Sequence, residues 1–341
     1  MNGFERIERT LTWQPTDHVP VMLHNFMHAA REAGMTMKEF RSCPENMAQA
    51  FVGASMKYGL DGILTDVDTA LEAHAMGAKT EFPDDLPARV VAPISEQIEE
   101  VIEQIDPAKL QSDERIQIYL EAIRLIHREI GGQLFLRGNA DQGPFSLAVA
   151  VYGMTNMMMD LSDGNKTELI MRLIERCYDV HLAFHLMVKE AGADMTSFGD
   201  SMGSPDLISP AMYRKFVAPF HKRLVADLSR KGIQTVCHIC GKTDMILEPW
   251  AEHGFGGVEI DYKTNIPQAA KTMQGKSVVF GVIDPSGVFC RGDETLVQQE
   301  TRAVMDCFPY GGLVIGAGCA LPAETPSQNI HAFVQTVRSR K

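Results

Sequence analysis

The sequence predicts an α/β protein whose residues 1–341 form one domain, a single (β/α)8 (TIM) barrel with an N-terminal helical extension. Three observations carry that prediction. Eight short apolar runs alternate with longer helical patterns. Most of the runs end in a polar residue able to do chemistry. The chain of 341 residues somewhat exceeds the about 250 that such a barrel typically needs.

Taken in order, Phe4, Ile7 and Leu11 stand at helical spacing, so a short amphipathic helix precedes the barrel. Residues 19–23 read as the first strand, residues 45–58 as a helix and residues 62–66 as the second strand. A long excursion follows, with Pro83, Pro87 and Pro93 and helix-like stretches at 95–105 and 113–130. Residues 133–139 form the third strand, and helical patterns cover 144–161 and 165–191. The fourth strand is 194–200. After it, Ser209 and Pro210 open a helix with proline in its first turn. The remaining strands are 233–240, 257–261, 277–284 and 313–319.

A doubly wound sheet would show the same alternation. The strand ends favour the barrel. They finish in Asp66, Asn139, Asp200, His238 with Cys240, Glu259 with Asp261, Asp284 and Cys319. A barrel keeps its chemistry at the C-terminal ends of its strands. No strand leads into a G-x-G-x-x-G or Walker loop, which leaves dinucleotide and ATP chemistry without support.

Composition narrows the function. A hydrophobic share of 45% is ample for a large core, and a formal charge of −12 argues against nonspecific nucleic-acid binding. The opening residues lack the apolar core of a signal peptide, and no apolar run approaches the ~18 residues of a membrane span. A cytoplasmic protein with no membrane or nucleic-acid partner is expected, with a homodimer left open. The seven cysteines are not spaced as a disulfide scaffold, so they serve as packing residues, ligands or nucleophiles. Cys43, Cys177, Cys290 and Cys307 fall in helical or loop patterns and read as ordinary thiols. The 20 methionines read as core filling.

The informative stretch is 235–241. His238 and Cys240 sit two apart on a strand and point to the same side, while Cys237 alternates into the core. Both are good zinc ligands. Cys319, at the end of the eighth strand, supplies a third, and a closed barrel aims both strands at one mouth. Gly241 and Gly318 permit the close backbone approach this requires. Three ligands leave one position open, the arrangement of a catalytic metal. Two thiolates neutralise the ion, which suits it to holding a substrate thiolate and not to making hydroxide. Glu259 reads either as a fourth ligand or as a hydrogen-bond partner of His238.

Asp66, Asp200 and Glu259 are the catalytic candidates, as strand-end acids able to orient substrate or move a proton. Asn139 and Asp284 are candidates for substrate binding. Helix capping is the competing role for the aspartates, most of all for Asp284 before Pro285. Asp179 and His181 partly match the D-x-H-x-x-G corrinoid motif, but the glycine is missing and the pattern is helical. The chain is therefore not expected to carry a corrinoid domain of its own.

These features together resemble the uroporphyrinogen decarboxylase superfamily and, within it, the corrinoid-dependent methyltransferase branch. The resemblance rests on 143–147 with 157–161, Gly199-Asp200 with 207–210, His238-Ile-Cys240-Gly241 with 246–248, 281–285, and Gly318-Cys319 with Thr325-Pro326 and Asn329. It implies the barrel fold, zinc held by His238, Cys240 and Cys319, and a corrinoid carried by a partner protein. Decarboxylases of the superfamily have an arginine-rich segment of the kind R-Q-A-G-R near the N-terminus. Residues 22–28 here contain no arginine, although Asp66 matches the decarboxylases' key aspartate. His24, Asn25 and His28 are instead expected to line the mouth for another substrate.

The expectation is a zinc-dependent methyltransferase acting between a methylcobalamin-type corrinoid protein and a thiol or methylated small molecule. The alternatives are a uroporphyrinogen decarboxylase of porphyrin biosynthesis and a non-enzymatic binding protein for a corrinoid or tetrapyrrole.

Overall fold

The computed structural model describes residues 1–340. In chain order its strands are β1 (Met22–Leu23), β2 (Gly62–Thr65), β3 (Lys79–Glu81), β4 (Arg89–Ala92), β5 (Phe135–Gln142), β6 (Met195–Gly199), β7 (Thr235–Ile239), β8 (Gly257–Ile260), β9 (Val278–Ile283) and β10 (Leu313–Ala317). All but β3 and β4 pair in parallel, in the order β1-β2-β5-β6-β7-β8-β9-β10. A parallel bridge between Val21 and Ile315 joins the last strand to the first, and the Ile315 N–H donates to the Pro20 carbonyl at 2.9 Å. The eight strands expected from the sequence thus form a (β/α)8 barrel. The first is shorter than expected because Pro20 has no N–H to give to a ladder.

The strands are buried on both faces, which explains their near-continuous apolar runs. Alternation then divides each strand. Met22, Leu64, Phe135, Val236 and Val278 pack together in one small cluster, which Ile7 of the helix Gly3–Leu11 joins. Two residues further along their strands come Asp66, Arg137 and His238. The ring is therefore filled with hydrocarbon at one level and with polar groups at the next.

The helix Gly3–Leu11 forms where the sequence predicts it. Asn2 and Glu5 close a capping box at its start. Gly3 lies against the backbone of Asp61, where a Cβ would stand 2.4 Å from the Asp61 carbonyl oxygen. Arg6 forms a buried ion pair with Asp61 and a second, at 2.7 Å, with Asp17. The other Asp61 oxygen accepts the Val21 N–H at 2.8 Å. One buried carboxylate thus ties the extension to the first strand.

Three local expectations differ from the structure. The pattern at 144–161 is two helices, Pro144–Tyr152 and Met154–Asp163, separated by Gly153 at φ 92°. Residues after Asn25, to which the sequence pattern assigns no element, form the helix Phe26–Glu32. The excursion contains the antiparallel hairpin β3–β4, whose strands are too short to show a period-2 signal. Among the described residues, no helix is long and apolar enough to cross a membrane.

Arg6→Ala would leave the Asp61 carboxylate buried without its cation. We expect a loss of about 3–5 kcal/mol of stability by equilibrium urea unfolding. A loss below ~1 kcal/mol would mean that the pair does not anchor the helix.

Candidate active site

Strand β7 delivers His238, and the turn after it delivers Cys240. The turn is held by the Cys240 N–H to Ser201 Oγ at 3.0 Å and the Gly241 N–H to Asp261 Oδ2 at 2.8 Å. Gly241 has φ 88°, and a Cβ on it would meet Asp206 Oδ2 at 2.2 Å. Cys319 follows β10 through Gly318, where a Cβ would stand 2.9 Å from the Ile260 carbonyl oxygen. The close approaches expected at both glycines are present.

The result is a convergence of three donor atoms, all within 4.8 Å of one another. His238 Nε2 lies 3.0 Å from Cys240 Sγ, and Cys240 Sγ lies 3.7 Å from Cys319 Sγ. Two sulfurs each about 2.3 Å from a tetrahedral ion stand about 3.8 Å apart, so the sulfur pair already has the spacing zinc requires. One imidazole nitrogen and two thiols also form a donor set that suits zinc. The residues therefore fit such an ion.

The three groups shift one another's protonation. The hydrogen bond from Cys319, helped by the charge of His238, pulls the Cys240 thiol down to about 3 against the opposing effect of burial. Burial opposes a charge on His238 too, but the Cys240 thiolate outweighs it and raises the imidazole to about 10. The Cys319 thiol is pushed well up by its contact with Cys240 and by burial. The opposite directions of the two shifts favour the negative charge on Cys240.

The groups lie on a cavity of about 450 Å³ at the C-terminal ends of the strands. Its polar wall is a connected lattice. His24 Nε2 meets Asp66 Oδ2 at 2.6 Å, and Asn139 Nδ2 donates to Asp66 Oδ1 at 3.1 Å. Arg137 Nη1 pairs with Glu259 Oε2 at 2.5 Å. Glu259 Oε1 lies 3.6 Å from His238 Nδ1 and 3.7 Å from His24 Nδ1. Burial resists ionisation of Glu259, but Arg137 and the two histidines hold its carboxyl well below the usual range. Burial likewise resists the charge on His24, but Asp66 and Glu259 raise it to about 9. The Glu259 carboxylate stands beside Nδ1, the ring nitrogen that faces away from the sulfurs. The hydrogen bond of His238 Nδ1 is to the Glu259 carbonyl at 3.2 Å. Of the two roles expected for Glu259, this geometry places it as a neighbour of His238 outside the three-atom group.

The other expected site residues are not brought to the cavity. His28 is buried in the helix Phe26–Glu32, near Tyr58 Oη at 3.2 Å and the Ala323 carbonyl at 3.4 Å. Asn25 is buried at the start of that helix and does not line the cavity. Asp200 turns away from the mouth. Its Oδ1 accepts from the Ser146 N–H at 2.7 Å and Ser146 Oγ at 2.6 Å, and its Oδ2 meets His221 Nε2 at 2.8 Å. The neighbours of Asp200, Gly199 and Ser201, line the cavity in its place. Asp284 accepts the N–H groups of Ser286 and Gly287, both at 2.8 Å, which is the capping role weighed against substrate binding. His181 lies in the helix Thr167–Glu190, with its ring 3.0 Å from that of His185 and 3.3 Å from Glu72.

Arg137 is a buried cavity residue that the sequence reading missed. Its signal was a lone charge inside the apolar run 133–139, two residues before Asn139 and so on the same face.

Comparison with known proteins places the chain. The uroporphyrinogen decarboxylase (URO-D) family profile matches residues 2–340, so the chain belongs to that family. It is 26% identical to the methylcobamide:CoM methyltransferase MtbA of Methanosarcina acetivorans, over 99% of this chain and 98% of that one. It is 23% identical to the uroporphyrinogen decarboxylase of Xanthomonas campestris, over 98% of both chains. Among solved structures, a methyltransferase from Methanosarcina mazei superposes with a TM-score of 0.89 at 23% identity, over 99% of this chain and 98% of that one. That likeness supports the fold.

The thiolate at Cys240 predicts a pH profile. In chelator-stripped protein, the rate of Cys240 alkylation by iodoacetamide should stay nearly flat between about pH 8 and 6, because the thiol is already ionised. Peptide mass mapping against time checks this. A rate falling about tenfold per pH unit would show an ordinary thiol.

Proposed function

We propose that this chain is a zinc-dependent methyltransferase. In this reading it moves a methyl group between a corrinoid carried by a partner protein and a thiol or methylated small molecule. The observation that carries the reading is the convergence of His238 Nε2, Cys240 Sγ and Cys319 Sγ at the cavity. The names of the relatives above support the reaction class.

His238, Cys240 and Cys319 are the residues that would hold the zinc. Bound there, the ion would keep a substrate sulfur anionic and nucleophilic at neutral pH. The protein's own groups do the rest. The Glu259 carbonyl accepts the Nδ1 proton of His238, which leaves Nε2 facing the sulfurs. Arg137 holds Glu259 in place, so the backing of His238 is rigid. Phe26, Leu64 and Phe198 give the cavity apolar walls that limit hydration of the reacting sulfur. Transfer to a thiol would form a carbon–sulfur bond as the corrinoid's carbon–cobalt bond breaks, with that bond's electron pair left on the corrinoid and the thiol's proton released to solvent when the thiol binds. Transfer from a methylated donor would run in reverse.

Decarboxylation of a polycarboxylate has less support. It calls for free arginines to receive the acid groups, but Arg137 is engaged by Glu259, Arg89 is paired with Glu81, and residues 22–28 supply none.

Protein purified without chelators should contain about one zinc per chain and demethylate methylcobalamin in the presence of a thiol. Cys240→Ala should remove both properties, and Glu259→Gln should weaken metal affinity roughly 10–100-fold. Metal analysis with a cobalamin absorbance assay checks this. Full activity of Cys240→Ala, or no zinc in the native protein, would sink the reading.

A further inference from the structure

We propose that Ser201 is a positioning residue for the sulfur pair. Its hydroxyl holds the turn that carries Cys240, so that Cys240 and Cys319 keep their spacing even without a metal. Asp200, its neighbour in the chain, is the anchor that makes Ser201 a fixed point. The proposal rests on the reading of His238, Cys240 and Cys319 as the metal-holding residues, and it gives the loop after β6 a task at that site.

The first observation is a direct contact. The turn after β7 is pinned from both sides. The Cys240 N–H donates to Ser201 Oγ at 3.0 Å, and the Gly241 N–H donates to Asp261 Oδ2 at 2.8 Å. Ser201 follows β6 and Asp261 follows β8, the two strands that flank β7 in the ring. Of these two bonds, the one from Ser201 is made to the cysteine's own amide. With that amide fixed, Cys240 Sγ is confined to the few positions its rotamers allow. Ser201 itself is half-buried on the cavity wall that also carries both cysteines.

The second observation is that the loop bearing Ser201 is itself tied down. Asp200 is fully buried, and its carboxylate takes the Ser146 N–H at 2.7 Å and Ser146 Oγ at 2.6 Å and meets His221 Nε2 at 2.8 Å. Its own N–H donates to the His238 carbonyl at 2.8 Å. Gly143 makes room for it, since a Cβ there would stand 2.6 Å from Asp200 Cγ. On either side, the Gly143 N–H reaches the Gly199 carbonyl at 2.7 Å, and the Met202 N–H reaches Ser146 Oγ at 3.1 Å. The loop is thus joined to the helix Pro144–Tyr152, to the helix Ala218–Ser229 and to β7 itself. A buried carboxylate with all these partners does not move without leaving one of them unpaired. The acid that the sequence marks as catalytic therefore acts on the site at one remove, through the hydroxyl next to it.

The test uses Ser201→Ala, which removes the hydroxyl, and Ser201→Thr, which keeps it. Chelator-stripped protein is treated with diamide, which takes one hydrogen from each of two thiols and leaves a disulfide. The rate at which the linked Cys240–Cys319 peptide appears in mass mapping reports how often the two sulfurs meet. We expect that rate to fall about fivefold in Ser201→Ala. Zinc affinity, measured by competition with a chelator, should weaken roughly tenfold, and the visible spectrum of the cobalt(II)-loaded protein should change. Ser201→Thr should stay within about threefold of the wild type in both rate and affinity. An unchanged linking rate in Ser201→Ala would overturn the proposal, and so would a Ser201→Thr protein as impaired as Ser201→Ala. The expected linking rates in a protein whose wild type binds no zinc would uphold the positioning role while removing the zinc-dependent reaction assigned above.

Discussion

Where Ile315 donates its N–H to the carbonyl of Pro20, the last parallel strand meets the first and the sheet loses both of its edges. Everything at the mouth depends on that seam. A closed ring forces alternate side chains of every strand into one small interior. It also makes neighbours of residues 79 positions apart, as with Cys240 and Cys319. The two sulfurs owe their 3.7 Å spacing to strand register and to two glycines that let backbones crowd together, and not to any bond between them. The hydrocarbon layer that includes Val236, Phe135 and Leu64 supports the polar level from below.

That polar level is costly to build, since it places ionised groups where water is scarce. The structure offsets the cost by linking them. Arg137, Glu259, His24, Asp66 and Asn139 form one array, with the glutamate reaching both histidines. An array of this kind resists rearrangement, because moving one member leaves the next without its partner. The imidazole of His238 inherits that rigidity through the Glu259 carbonyl.

Much of this was legible in the chain. The eight apolar runs, their polar ends and the spacing of His238 and Cys240 are local patterns, and they read directly as strands and a shared face. Cys319 was found by the same logic, from its place at a strand end. The misreadings have a common cause, which is that composition does not tell where a side chain turns once its strand has ended. Asp200 sits in a loop at the mouth, yet the Ser146 N–H and His221 draw its carboxylate inward. His28 looks like a mouth residue until the chain beyond Asn25 coils into a helix and buries it. Arg137 was overlooked because a charge within an apolar run gives no hint of a partner 122 residues away on β8.

The hairpin β3–β4 stands apart from the ring, as a separate two-stranded sheet. Its end contributes Pro87, Ala88 and Arg89 to the cavity wall, and Arg41 fastens the connecting turn through the carbonyls of Pro83 at 2.6 Å and Leu86 at 3.0 Å. No ladder bond of the barrel passes through it. This separates two kinds of inheritance within one chain. The ring and its polar level must be kept together, whereas the hairpin can be exchanged or reshaped without unpicking a strand. Related chains can therefore share one reaction chamber while differing in which molecules their entrance admits.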